Sequence, residues 1–190
     1  MYVIKRNNTE EPASFEQITD RITELSVGLN VDASVVSQKV ISGVYSGIST
    51  AEIDELTCET LAAMITVNPD YEVLASKVAI SNLHKQTNPS FSETELSVID
   101  DERIKEIIRI NAQKLDSTIK HANDYDISYF GLKTLENNYL LKDRDNKAIV
   151  ERPQYMFMRT ALEIHRGDIE SVIETYEMMS EKRVSTPLRR

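Results

Sequence analysis

Two tetrads in the first third of the chain, Ser14-Phe15-Glu16-Gln17 and Ser49-Thr50-Ala51-Glu52, have the form of a capping box. In such a box the first hydroxyl accepts from the backbone N–H of the fourth residue, whose own side chain reaches back. Each tetrad therefore fixes a helix start. Behind the first, Phe15, Ile18, Ile22 and Leu25 recur at steps of three and four, an apolar face that ends near Gly28. Behind the second, Ile53, Leu56, Leu61 and Met64 turn inward. A helix between them carries Val36, Val40, Ile41 and Val44 and stops around Gly47. Asn68-Pro69 is an N-cap residue followed by proline at the first helical position. It opens a fourth helix that buries Leu74, Val78 and Leu83 and carries Lys77 and Lys85 outward. Ahead of all four, Tyr2 to Lys5 reads as a strand, and Asn7-Asn8 can supply the positive φ of a hairpin turn. Two strands and four helices are expected.

Asn88-Pro89-Ser90 breaks the pattern and is the candidate linker. Beyond it a short helix is expected from Ser92, then helices marked by Ile104, Ile107, Ile108 and Leu115. Gly131 to Leu140 suggests a short helix, and Asp145-Asn146 the turn of a second small hairpin. Pro153 suits the first turn of a helix through His165, and Gly167-Asp168 ends it and caps the last helix. The expected class is mainly α with small β-hairpins, divided into residues 1–88, a helical part 89–182 and a loose tail 183–190.

With 41% hydrophobic and 28% charged residues, the 190-residue chain has the composition of an ordinary globular protein. No apolar run approaches the roughly 20 residues of a membrane span, so no membrane is expected. The single Cys58 cannot form an internal disulfide, which makes a reducing, cytoplasmic setting the default. A net charge of -9 argues against nucleic-acid binding, which needs a basic surface to displace counterions. Residues 1–89 hold six basic against twelve acidic side chains, so that half hides no basic face.

A local anion pocket is still conceivable. Lys5, Arg6 and Lys85 could meet beside the start of the third helix, where unpaired N–H groups and the helix dipole favour phosphate. Thr50 could offer its hydroxyl, and Asp54, one turn later, could accept from a ribose or adenine group. The alternative is a set of surface charges around an ordinary helix cap. His84, His121 and His165 lack the spacing of a metal site and read as satisfied or exposed side chains. Cys58 reads as packing, as do Met156 and Met158.

Five stretches resemble the ATP-cone of class I ribonucleotide reductase large subunits. They are Tyr2 to Arg6, Phe15-Glu16-Gln17-Ile18-Thr19, Gly28-Leu29-Asn30, Ile41 to Gly47, and Asn68-Pro69-Asp70-Tyr71 through Ser81-Asn82-Leu83-His84-Lys85. Tyr129 to Leu135, Glu151-Arg152-Pro153-Gln154 and Ile173-Glu174-Thr175-Tyr176 resemble the helical segment that leads into that enzyme's catalytic barrel. The resemblance implies a β-hairpin plus four-helix cone that binds ATP as activator or dATP as inhibitor, with Mg²⁺. It implies phosphate contacts from Lys5, Arg6 and Lys85, a lining of Val3, Glu11 and Ile18, and nucleotide contacts from Thr50 and Asp54. The implied partners in the intact enzyme are further large-subunit chains and a radical-generating small subunit.

The departures matter. The family commonly has Asp-Gly where this chain has Asn7-Asn8, and a lysine where Gln17 stands, which removes one cation. Family members also continue from the last helix into a Ser-Pro-Thr-Leu-Phe-Asn strand, where this chain reads Ser185-Thr186-Pro187-Leu188-Arg189-Arg190. Ribose reduction in that family needs a thiyl radical and a dithiol, and one cysteine cannot supply both. The chain alone is therefore expected to be inactive in that reaction, with Ile104, Ile107 and Met156 exposed where a barrel would cover them. Two readings stand: an effector-binding piece of a reductase large subunit, and a remnant or interaction module without nucleotide binding.

Overall fold

β1 (Tyr2–Ile4) is the middle strand of a three-stranded sheet in the computed structural model, which describes residues 1–182. β2 (Glu10–Pro12) runs antiparallel to it, with Val3 opposite Glu11. The turn between them is built by Asn8 at φ 62°, whose N–H donates to Lys5 O at 2.9 Å. β3 (Ile48–Ser49) pairs parallel on the other side, Val3 with Ile48 and Ile4 with Ser49. The sequence predicts the hairpin but not β3, because two residues cannot display an alternation. Its approach is set by Gly47, whose φ of 90° suits glycine and whose N–H donates to Tyr2 O at 2.8 Å.

Around this sheet lie α1 (Phe15–Leu25), α2 (Ala33–Gly43), α3 (Thr50–Ala63) and the first part of α4 (Asp70–Gln86). The second tetrad closes fully: Ser49 Oγ accepts from Glu52 N at 3.1 Å and Ser49 N donates to Glu52 Oε2 at 2.8 Å. The first shows its forward half, Gln17 N donating to Ser14 Oγ at 3.3 Å. Ile22, Val36, Val40, Leu61, Leu74 and Ile80 are buried between the helices. Phe15 is instead exposed, since the first position of a helix has neighbours on one side only. Lys77 does not simply face outward either. Its Nζ donates to Leu25 O at 3.2 Å and so closes the end of α1.

The chain divides into two compact units, Met1–Asn82 and a second that begins at Leu83, within α4. In the second unit follow α5 (Phe91–Val98), α6 (Glu102–Thr118), a 3-10 turn (His121–Asp126), α7 (Tyr129–Asn138), α8 (Pro153–His165) and α9 (Ile169–Ser180). Asn88-Pro89-Ser90, the candidate linker, leads directly into α5: Ser90 Oγ accepts from Glu93 N at 3.2 Å, so that helix starts at Phe91 rather than Ser92. The second hairpin reduces to one antiparallel bridge, Lys142 with Ile149. The core joins Phe91, Ile108, Leu115, Tyr155, Met158, Leu162, Val172 and Tyr176. Ile104 and Met156 are buried and Ile107 packs against that core, which corrects the expectation that they face solvent. The i, i+3, i+4 face of α6 is covered by the unit's own helices. No helix among the described residues is long and apolar enough to cross a membrane. The predicted loose tail, 183–190, lies outside the described residues.

One buried carboxyl keeps its proton well above the usual carboxylate range. Glu151 Oε1 and Oε2 accept from Arg159 Nε and Nη2 at 2.7 and 3.1 Å, while Glu95 Oε2 lies 4.0 Å from the same Nε. Both carboxyls are fully buried, and one guanidinium cannot serve two of them. Burial, with repulsion from Glu151 added, pushes the Glu95 carboxyl up to about 9 despite the attraction of Arg159. The unfolded chain ionises Glu95 near pH 4 while the fold keeps its proton. This group's contribution is therefore complete below that value and declines as pH rises toward 9. Glu95→Gln is predicted to match the wild type in thermal unfolding at pH 4.5 and to exceed it by on the order of 5 °C at pH 8.

Candidate functional site

The register of β1 decides where the basic pair goes. Ile4 lies beside Ser49, the N-cap of α3, so the next two residues, Lys5 and Arg6, emerge over the start of that helix. Arg6 Nη2 donates to Asp54 Oδ2 at 2.8 Å and also contacts Asn82 Oδ1 on α4. Asp54, one turn into α3, is only 3% exposed. Its other oxygen accepts from Arg21 Nη1 of α1, and Arg21 Nη2 lies 3.4 Å from Ser81 Oγ. One buried carboxylate thus ties the hairpin turn to α1, with α4 completing the cluster. Two guanidiniums against one carboxylate leave a net positive charge, and each planar fork matches the oxygens of a phosphate.

Among the residues singled out from sequence, Arg6 and Asp54 are in direct contact. Lys5 Nζ pairs with Glu11 Oε2 at 3.1 Å across the hairpin, both partly exposed. Val3 is buried opposite Glu11, Ile18 is half-buried on α1 one turn before Arg21, and Thr50 opens α3 one turn before Asp54. Lys85 is placed on the last turn of α4, beyond the division at Asn82. The start of α3 presents fewer bare N–H groups than expected, since Ser49 Oγ accepts from Glu52 N. The Glu52 carboxylate already occupies that end, and its bonds from the Ser49 backbone and hydroxyl hold it below the usual carboxylate range.

Sequence reasoning missed Arg21. Its signal was present: it follows Ile18 by three residues and precedes Leu25 by four, so a cation stands on the apolar stripe of α1. Ser81 and Asn82 are polar residues in a helix whose neighbours Ile80 and Leu83 are buried, a weaker signal.

Two family models match the chain, an ATP cone domain over residues 1–86 and the ribonucleotide reductase all-alpha domain over residues 125–188. The two matches bear out the resemblance to an ATP cone followed by a reductase all-alpha domain. It is similar to ribonucleoside-diphosphate reductase large chain 2 of Saccharomyces cerevisiae, 49% identical over 95% of this chain and 22% of that protein. It is also similar to the large subunits of Caenorhabditis elegans, at 48% over 95% of this chain and 25% of the relative, and of Variola virus, at 44% over 96% and 25%. It spans about a quarter or less of the length of these relatives. The hairpin and four helices of the cone are as the resemblance implies, with β3 added.

The ion pairs of the cone differ in burial, and so in worth. Exposed pairs contribute little because water screens them. Lys5→Ala is predicted to change stability in urea by less than about 0.5 kcal/mol. Arg21→Ala, which leaves the buried Asp54 with one partner, is predicted to cost about 2 kcal/mol.

Proposed function

We propose that the cone binds a purine nucleoside triphosphate, ATP or dATP with Mg²⁺, and that the chain is the effector-sensing portion of a ribonucleoside-diphosphate reductase large subunit. The observation that carries this reading is the Arg6–Asp54–Arg21 cluster over the start of α3, whose net charge is positive in a chain that is otherwise acidic. Arg6 and Lys5 are the side chains for phosphate oxygens, and the Thr50 hydroxyl lies one turn from Asp54 for the sugar end. Val3, Glu11 and Ile18 line the approach. Lys85 belongs to the reading through the family resemblance. A phosphate would compete with Asp54 for Arg6, so Asp54 acts as the internal anion that keeps the fork oriented. In this reading the chain works in the cytoplasm, within an assembly of large-subunit chains and a radical-generating small subunit, and the effector sets overall activity.

A second reading, an interaction module without nucleotide binding, has one observation in its favour. Arg6 and Arg21 share Asp54, Lys5 has Glu11, and Glu52 fills the helix start. Equilibrium dialysis of the chain with labelled dATP and ATP at millimolar Mg²⁺ separates the two. Saturable binding that weakens at least about tenfold in Arg6→Ala supports the first reading, and no saturable binding of either nucleotide leaves the second.

A further inference from the structure

The two guanidiniums on Asp54 are not equivalent. Arg6 stands in the hairpin turn beyond β1, beside the exposed Asn7 and Asn8. It reaches Asp54 Oδ2 through Nη2 alone, at 2.8 Å, and the same nitrogen contacts Asn82 Oδ1. Its side chain keeps 31% of its surface in solvent. Arg21 stands inside α1, next to buried Ile22 and one turn after half-buried Ile18. It holds Asp54 Oδ1 through Nη1 and turns Nη2 toward Ser81 Oγ on α4, 3.4 Å away. A helical backbone fixes the root of the Arg21 side chain, whereas Arg6 is carried by a turn.

A phosphate that binds the Arg6 fork has to take it from Asp54. The carboxylate left behind has a side chain only 4% exposed, so water cannot replace the lost partner. Removing one member of a buried pair strands the other, and that is costly. Arg21 lowers the cost, because Oδ1 still accepts from its Nη1 after Arg6 has turned away. The second guanidinium on this carboxylate is what lets the first be exchanged.

We infer that Arg21 is a positioning residue for the effector: it stays on Asp54 as its resident counterion, so that Arg6 is free to leave Asp54 for a phosphate. This rests on the effector reading above, with Arg6 as a phosphate ligand. With Arg21 removed, Arg6 is the remaining guanidinium on Asp54 and is held back from the ligand. The test measures dATP affinity by equilibrium dialysis of the whole chain at millimolar Mg²⁺, in the wild type, Arg21→Gln, Asp54→Asn and the double variant. Urea unfolding of each shows that it is folded. Arg21→Gln is expected to weaken dATP about tenfold or more when Asp54 is present. In the Asp54→Asn background, where no carboxylate needs a counterion, the same change is expected to cost less than about twofold. If Arg21→Gln does not fold, Arg21→Lys replaces it in both backgrounds, with a loss of about threefold beside Asp54 and none beside the amide. An equal loss in both backgrounds overturns the positioning role, since Arg21 would then act without Asp54. Abolished binding in Asp54→Asn overturns it too, because the carboxylate would then be a ligand of the nucleotide. Wild-type binding that Arg21→Gln retains in full overturns the positioning role alone. A wild-type chain that binds no dATP overturns the effector reading itself, and the positioning role with it.

Discussion

The cone depends on where the Asp54 carboxylate lies. It is buried on α3, and each of its oxygens takes a guanidinium from a different element, Arg6 from the hairpin turn and Arg21 from α1. A buried carboxylate without partners would be strongly destabilising, so the three side chains stand or fall as a set. The parallel pairing of Ile4 with Ser49 delivers Arg6 to this place, and the capping box at Ser49 fixes the helix start from which Asp54 is counted. Local chemistry at a helix cap thereby sets the geometry of a charge cluster. The cluster brings two guanidiniums to one carboxylate, while the Glu52 carboxylate already sits at the helix start.

The second unit solves a different problem with the same residue types. Its helices bury an apolar core, and several of the polar groups enclosed with it are tied to helix ends and loops. Glu151 receives Arg159 and the Leu141 N–H, Asp124 receives His84 and Gln154 N, and Arg152 closes α4. Glu95 keeps its proton near neutral pH, since Arg159 is already committed to Glu151. The bonds of Asp124 and Arg152 join segments thirty or more residues apart. The Glu151-Arg152-Pro153-Gln154 stretch works as a junction through its side chains as much as through the helix it opens.

Much of this was legible in the sequence, for physical reasons. Ser49, Asn68, Asp168 and Pro153 mark helix starts because capping and the missing proline N–H act within one turn. The apolar spacing on α2, α3 and α6 found the core because burial follows the helical period. β3 was not legible, since two residues of strand depend wholly on a partner more than forty residues away. The pairing of Arg6 with Asp54 and the role of Arg21 were not legible either: the sequence names the charges but not which of them share an oxygen. Ile104 and Met156 were misjudged because periodicity shows that a face is apolar and does not show what covers it.

The most direct measurement of this account is a double-mutant cycle on Arg6 and Asp54, with stability in urea read for the wild type, Arg6→Ala, Asp54→Ala and the double variant. A coupling energy of about 1 kcal/mol or more is expected, with the double variant less damaged than the two single losses together imply. Additivity of the two losses to within about 0.3 kcal/mol would contradict it, since Asp54 would then not be the anion that holds Arg6 in place.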